Sequence, residues 1–408
     1  MSVEDYGVYG LFVTTVTLAS IIGAMGLQES LAFLIGRSAE KAPQYFASAI
    51  IYIFLPLGLT STLAASFWLS FSTIFVFYIW ITPALMAVCG RIMLFISQGG
   101  HLGVGNIKSF NLSETLPVIL LFIGAAVVYP FGKLSVVYFL WIYGVAHFTI
   151  GLWYLLNSVV KTAQPFKPEL TCAVEVLKQG APYALSMFLA VANNTLALYI
   201  LNAKGMENMT GYFFIAWQIF NALLNVANAL GLVLFSHSAR AKDPQAILKS
   251  VSRYTSLLLW FMMGVGSAAA LFSPWIVPFV FGADYVDAVP FIQLIMLCMG
   301  FVSLTRVMYR TLGGVGLSYA GTAILFPALV LNGLCSWFLI DYFGAIGAVQ
   351  GLIISQIFTI SCYLALVWMK FKLPFYMFII PNKSDIFGAL NSIHKISMKF
   401  INTILKKA

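Results

Sequence analysis

The feature that most limits how this chain can fold is a succession of apolar runs about twenty residues long, almost free of charge. A bilayer hydrocarbon core about 30 Å thick is crossed by roughly 20 residues of helix. Eleven runs meet that length: A 6–26, B 45–67, C 74–96, D 112–129, E 134–157, F 182–201, G 211–235, H 254–272, I 288–309, J 318–340 and K 345–368. Soluble domains spend about a quarter of their residues on charge, whereas here the figure is 9%, with 61% hydrophobic residues and a mean hydropathy of +0.95. These values exclude a soluble enzyme, a disulfide scaffold and a disordered chain. A membrane β-barrel would instead show short segments of alternating polarity. The fold class is therefore an all-α polytopic membrane protein.

Local punctuation marks several helix starts. Ser2-Val-Glu-Asp5 and Asn111-Leu-Ser-Glu114 both read as capping boxes, and Pro182 and Pro290 suit first turns. Pro56, Pro83 and Pro327 fall inside spans B, C and J. The five cysteines lie far apart and support neither a disulfide framework nor a metal site. Met1–Asp5 bears two carboxylates and no positive charge, unlike the start of a secretory signal.

Charge placement sets the expected orientation. Of the 22 lysines and arginines, all but Lys133 and Lys204 fall on one side of the eleven-span arrangement. By the positive-inside bias that side is cytoplasmic, the N-terminus is outside and the C-terminus inside. The net charge of +9 is then a signature of topology, and nucleic acid is not an expected partner. Beyond Pro381, apolar residues at helical spacing alternate with Lys395, Lys399, Lys406 and Lys407, so segment 382–408 reads as a basic amphipathic helix on the cytoplasmic leaflet.

The chain also resembles itself. Gly7-Val-Tyr9 opens span A, which reaches Gly26-Leu27 and then Arg37; Gly211-Tyr212 opens span G, which reaches Gly231-Leu232 and then Arg240. Arg91 precedes Gly99-Gly100 as Arg306 precedes Gly313-Gly314. Spans A–E thus align with G–K, leaving F without a partner. The expected organisation is an N-terminal lobe of five spans (1–160), a linker (161–181) and a C-terminal lobe of six (182–369). On this reading the first helix of the first half is absent, through a late start or a shortened variant.

Ser2-Val-Glu-Asp-Tyr-Gly-Val-Tyr-Gly10 with Gly26-Leu27, then Lys178-Gln-Gly-Ala-Pro-Tyr183, Thr210-Gly-Tyr212 and Phe281-Gly-Ala-Asp-Tyr285, resemble the landmarks of polysaccharide-exporter membrane proteins. These are the Wzx-type flippases of the multidrug/oligosaccharidyl-lipid/polysaccharide (MOP) superfamily. The resemblance implies two six-helix lobes around a cavity that opens alternately to each side of a bacterial inner membrane. Its implied cargo is an undecaprenyl-pyrophosphate-linked oligosaccharide, such as an O-antigen, capsule or exopolysaccharide unit, with a glycan polymerase of the same pathway and membrane lipids as partners. Two departures stand out: Phe33 lies where many relatives carry an arginine, and Asn193-Asn194 where many carry a charge.

Polar groups within a bilayer are expensive, so their positions carry information. Gln218, Asn221, Asn225 and Asn228 share one face of span G, and Asn193 and Asn194 lie at similar depth in span F. These amides suit sugar hydroxyls in a cavity or bonds between helices. Arg91, Arg306 and Arg310, near the cytoplasmic ends of spans C and I, suit a pyrophosphate or snorkel to the interface. His147 in span E is either a proton carrier or a hydrogen-bonded histidine. Coupling to H+ or Na+ is left open, no other cofactor is expected, and no catalytic constellation is present.

Two rival functions are a MATE-like cation-coupled multidrug antiporter and a membrane glycan polymerase or acyltransferase. The antiporter favours carboxylates inside the membrane, and the capping reading of Glu114 leaves no acidic residue well inside a span. The enzyme favours a large external loop or a catalytic cluster, and neither is seen.

Overall fold

A computed structural model describes residues 2–54, 80–131, 135–162, 165–240 and 243–382. The described residues form helices, turns and loops, with no strand among them. That is the result expected where lipid offers no partner to a backbone N–H or C=O and a helix satisfies both internally.

Span A is helix α1 (Val3–Ala24), continued by α2 (Leu27–Arg37). Ser2 caps α1 as expected: its Oγ accepts from Asp5 N–H at 3.1 Å, and the Asp5 carboxylate accepts from Ser2 N–H at 3.2 Å. The break between α1 and α2 is a left-handed pair, Met25 (φ 47°) and Gly26 (φ 72°). A Cβ on Gly26 would lie 2.1 Å from the Gly180 carbonyl oxygen, so only glycine fits this crossing. Span B begins with α3 (Ala42–Ser48) and a π turn (Ala49–Phe54). Its remainder, with Pro56, lies outside the described residues, as does the expected amphipathic tail beyond Asn382.

Most of the following helices run longer than the apolar runs suggested. Span C is α4 (Thr82–Gly103), span D α5 (Ile107–Val128), span E α6 (Val136–Thr162), span F α7 (Leu170–Ala203), span G α8 (Glu207–Arg240) and span H α9 (Pro244–Val280). Span I is broken into α10 (Val289–Met296) and α11 (Met299–Gly314), bent by 55°. Spans J and K are α12 (Ser318–Phe343) and α13 (Ile346–Phe371). Nine described helices are long and apolar enough to cross a membrane, or ten with the bent pair counted as one span.

Three local expectations change. Asn106, not Asn111, caps α5, accepting from Ser109 N–H at 3.2 Å. Glu114 therefore sits two turns inside a membrane helix, about 10 Å from its start. Pro182 lies within α7, which begins at Leu170 in the segment read as linker. Pro83 occupies the first turn of α4 instead of interrupting it. The Gly99-Gly100 pair lies inside α4, where Gly99 packs on the α2 backbone and Gly100 on the Phe46 ring.

Packing divides these helices into two lobes. In the first, α4 packs on α1, α2 and α6, with α5 against α6; in the second, α12 packs on α7 and α13, and α11 on α8, α9 and α13. Each lobe has its own core: Leu27, Leu31, Phe46 and Ile96 in one, Leu304, Met308, Tyr363 and Phe378 in the other. A third core joins them through α1 and α8, including Tyr9, Phe213, Phe214 and Phe220. At the end bearing the N-terminus Tyr6 lies 5.5 Å from Phe214 and 6.3 Å from Tyr285, ring to ring.

The internal repeat is visible at this joint. Gly7 and Gly211, equivalent by sequence, face each other: a Cβ on Gly7 would lie 3.0 Å from Gly211 N, and one on Gly211 only 2.1 Å from the Val3 carbonyl oxygen. Related positions meeting is what a pseudo-twofold between α1 and α8 produces. Outward faces are apolar, as α5 shows with Val118, Phe122 and Val127 all exposed. Lys204, one of two exceptions to the charge asymmetry, is paired with Asp341 and lies 4.7 Å from the Trp337 ring centre.

Candidate functional site

The environment changes sharply along α8. Residues 210–217 are wholly buried against α1 and the second lobe, whereas Ala222, Asn225, Val226, Ala229 and Val233 are exposed. The amide stripe runs through this change: Gln218, Asn221 and Asn228 are half-buried and Asn225 is exposed. Among the described residues none of the four bonds to another helix. Their one mutual contact is a long 3.5 Å bond from Asn228 Nδ2 to Asn225 Oδ1, and Asn228 Oδ1 is buried with no partner.

Further along α8, a pocket opens between the lobes. It is lined by Gln28, Glu29 and Ala32 of α2 on one side and by Tyr183, Phe235, Tyr309 and Arg310 on the other. Gly231 makes room here, since a Cβ would lie 2.9 Å from Arg310 Cδ. Tyr183 Oη donates to the Gly313 carbonyl at 2.9 Å and holds α7 against the end of α11. Glu29 and Arg310 bear opposite charges on facing lobes but form no ion pair. Burial pushes the Glu29 carboxyl up from its ordinary value, against the opposing pull of the Arg310 charge.

A second, more polar pocket lies within the first lobe and brings together Arg91, Gln98, Ser113, Glu114 and His147. Arg91 Nη1 donates to Tyr143 Oη at 3.1 Å, while its Nε is buried with no partner. Gln98 Nε2 donates to Ser113 Oγ at 3.0 Å and Glu114 Oε1 at 2.8 Å. His147 Nδ1 lies 2.9 Å from the Tyr143 carbonyl oxygen. A carbonyl only accepts, so Nδ1 carries the hydrogen and in the neutral ring Nε2 is left as acceptor. Among the described residues no group of three or more His, Cys, Asp or Glu is placed to hold a metal.

A third pocket lies in the second lobe, lined by Asn193, Asn194, Thr305, Arg306, Tyr309 and Tyr363 among others. Asn193 and Asn194 are buried here, apart from the exposed part of the α8 stripe. Asn193 Oδ1 accepts from Asn332 Nδ2 at 3.0 Å and Ser355 Oγ at 3.2 Å. Asn194 Oδ1 accepts from Gln356 Nε2 at 2.7 Å. The three arginines grouped by sequence thus occupy three pockets: Arg310 between the lobes, Arg91 in the first lobe and Arg306 in the second.

Sequence reasoning passed over Glu29, Gln98, Glu114, Asn332 and Gln356. Asn332 was findable, as a lone amide in the apolar run of span J. Glu114 was masked by its resemblance to a cap, and Glu29 by lying beyond the apolar end of span A.

The fold has solved counterparts. It is similar to an inward-facing multidrug resistance MATE family transporter of the MOP superfamily, with a TM-score of 0.71 at 17% identity, covering 91% of each chain. An outward-facing structure of the same description matches with a TM-score of 0.69 at 16% identity over 91% of this chain and 88% of the other. A MATE in the bent conformation matches with a TM-score of 0.66 at 16% identity, covering 91% of this chain and 92% of the other. No protein-family model and no curated sequence matches the chain. The class defined by fold and site is therefore a two-lobed, all-helical membrane protein with a MATE-like fold.

Proposed function

We propose that the protein is a transporter working by alternating access, and that its cargo is a lipid-linked oligosaccharide moved from the cytoplasmic to the outer leaflet. The observation that carries this reading is the interlobe pocket, where Arg310 faces Glu29 of the opposite lobe with no hydrogen bond or ion pair among the described residues, together with the amides earlier on α8 that bond to no other described helix. A guanidinium matches phosphate oxygens geometrically and stays charged, so Arg310 is the group to hold the pyrophosphate. Gln218, Asn221, Asn225 and Asn228 offer donors and acceptors to passing sugar hydroxyls. The polyprenyl chain remains in lipid, outside the seam between the lobes.

Two tight crossings supply the mechanical basis. One lies at the N-terminal end, between Gly7 and Gly211, and the other at Gly26 and Gly180; each joins the lobes through backbone contact. Alternating access requires that each loosen in turn, and at the N-terminal end this means parting the Tyr6, Tyr9 and Phe214 rings packed around Gly7 and Gly211.

The test is a strain with this gene deleted and then complemented. Lipid-linked repeat units should accumulate facing the cytoplasm in the deletion and clear on complementation. Normal surface glycan without accumulation in the deletion overturns the cargo assignment. A cation-coupled multidrug antiporter is the second reading, because Glu114 places a carboxylate inside a membrane helix beside Gln98. Drug sensitivity in the same deletion, without trapped lipid intermediates, would favour it.

A further inference from the structure

We infer that the pocket inside the second lobe is a binding site for a small monovalent anion of halide size, held by Arg306. This arginine is a charge without a counterpart. It is largely buried on α11 and makes no hydrogen bond or ion pair among the described residues, and no Asp or Glu lines the pocket it enters. A guanidinium cannot discharge itself by losing a proton at physiological pH, and a buried charge without a partner is strongly unfavourable.

The surrounding atoms favour an anion too. Asn193 is 1% exposed and Tyr363 fully buried. Both line the pocket, yet Asn193 Nδ2 and Tyr363 Oη have no partner among the described residues. The Asn193 orientation follows from its neighbour. Asn332 Nδ2 donates to the Asn193 backbone carbonyl at 2.6 Å, so Asn332 also presents N–H to the Asn193 side chain, which must answer with its oxygen. Asn193 Nδ2 is then left over as a donor. Tyr309 does not compete, as its Oη turns away to the Tyr183 carbonyl at 3.4 Å.

One fixed positive charge and two idle donors, contributed by α7, α11 and α13, make a three-sided anion cradle. The free space is about that of one or two water molecules, enough for a single halide ion. Water alone would satisfy Asn193 and Tyr363 but leave the charge uncompensated. The site is independent of the cargo proposed above, whose headgroup contacts Arg310 in a different pocket.

The test uses the full-length protein purified in detergent. Chloride replaces gluconate at constant ionic strength, and thermal stability is followed. The wild type and Arg310→Gln should show saturable stabilisation; Arg306→Gln should lose it, and Tyr363→Phe should need at least about tenfold more chloride, as expected for losing a hydrogen bond to a charged group. A flat response in the wild type, or an unchanged response in Arg306→Gln, overturns the proposal. Should Arg306→Gln fail to fold, Tyr363→Phe and the anomalous signal of bromide in crystals decide instead. A bromide peak against Arg306 supports the site; a peak only elsewhere, or water only in the pocket, overturns it.

Discussion

At the scale of single residues, the pockets turn on charges and amides that lack ordinary partners. Arg310 is the sharpest case. Arg310→Gln should lower cargo translocation about tenfold or more with little change in folding, and Arg310→Lys should restore only part, since a point charge cannot fork onto phosphate oxygens. Leaflet-resolved extraction of lipid intermediates reads both variants. Glu29 makes a prediction of opposite character. Its carboxyl is raised above the ordinary value of 4.5, so it favours the folded state while protonated and loses that contribution as pH rises through the raised value. Thermal stability of the wild type should therefore fall over that range more than stability of Glu29→Gln, whose profile should be flatter. Asn332→Ala tests the buried network: it removes the Asn332 donor from the Asn193 carbonyl and side-chain oxygens, the latter keeping only Ser355 Oγ, a cost of about 1–3 kcal/mol, readable as a lowered denaturation midpoint. Apart from Asn332, these network partners were hidden in the sequence, because Ser355 and Gln356 acquire meaning only when α13 is laid against α7.

At the scale of elements, apolar length marked ten of the eleven spans in the described residues, since hydrophobic thickness is a constraint that sequence states directly. Helix ends were less legible. Once a helix leaves the hydrocarbon, its polar turns continue without any apolar signal, which is why α7 begins at Leu170 and α9 extends from Pro244 to Val280. Caps could be read where side chain and backbone agree, as at Ser2, and misled where an amide-to-carboxylate spacing recurred inside a helix, as at Asn111 and Glu114. The two lobe crossings give an element-scale prediction. Gly26 and Gly205 both have positive φ, 72° and 71°, but only Gly26 is pressed against another backbone, while nothing lies within 4 Å of a Cβ on Gly205. Gly205→Ala should cost about 1–2 kcal/mol, the left-handed backbone term alone. Gly26→Ala should cost clearly more, because the α2–α7 crossing must open, and calorimetry of the two purified variants compares them directly.

At the scale of the whole molecule, the internal repeat was the most informative reading of the chain, because equivalence in sequence turned into contact in space at Gly7 and Gly211. The grouping of three arginines was the least transferable. Recurrence in both halves places Arg91 and Arg306 in separate lobes, as a repeat must, and only Arg310 reaches the seam. Transport as proposed requires the lobes to part and close while a lipid-linked glycan crosses between them. Tying the N-terminal end shut tests this most directly. Tyr6→Cys and Tyr285→Cys, introduced together and joined by a short thiol crosslinker, would fasten α1 to the segment before α10, and an added lectin or glycosidase would report lipid-linked oligosaccharide on the outer face of spheroplasts. Outer-face oligosaccharide should be found before crosslinking, with none newly delivered afterwards and recovery when a cleavable linker is reduced. Delivery that continues unchanged with the lobes tied, or that is absent from the untied protein, would contradict it.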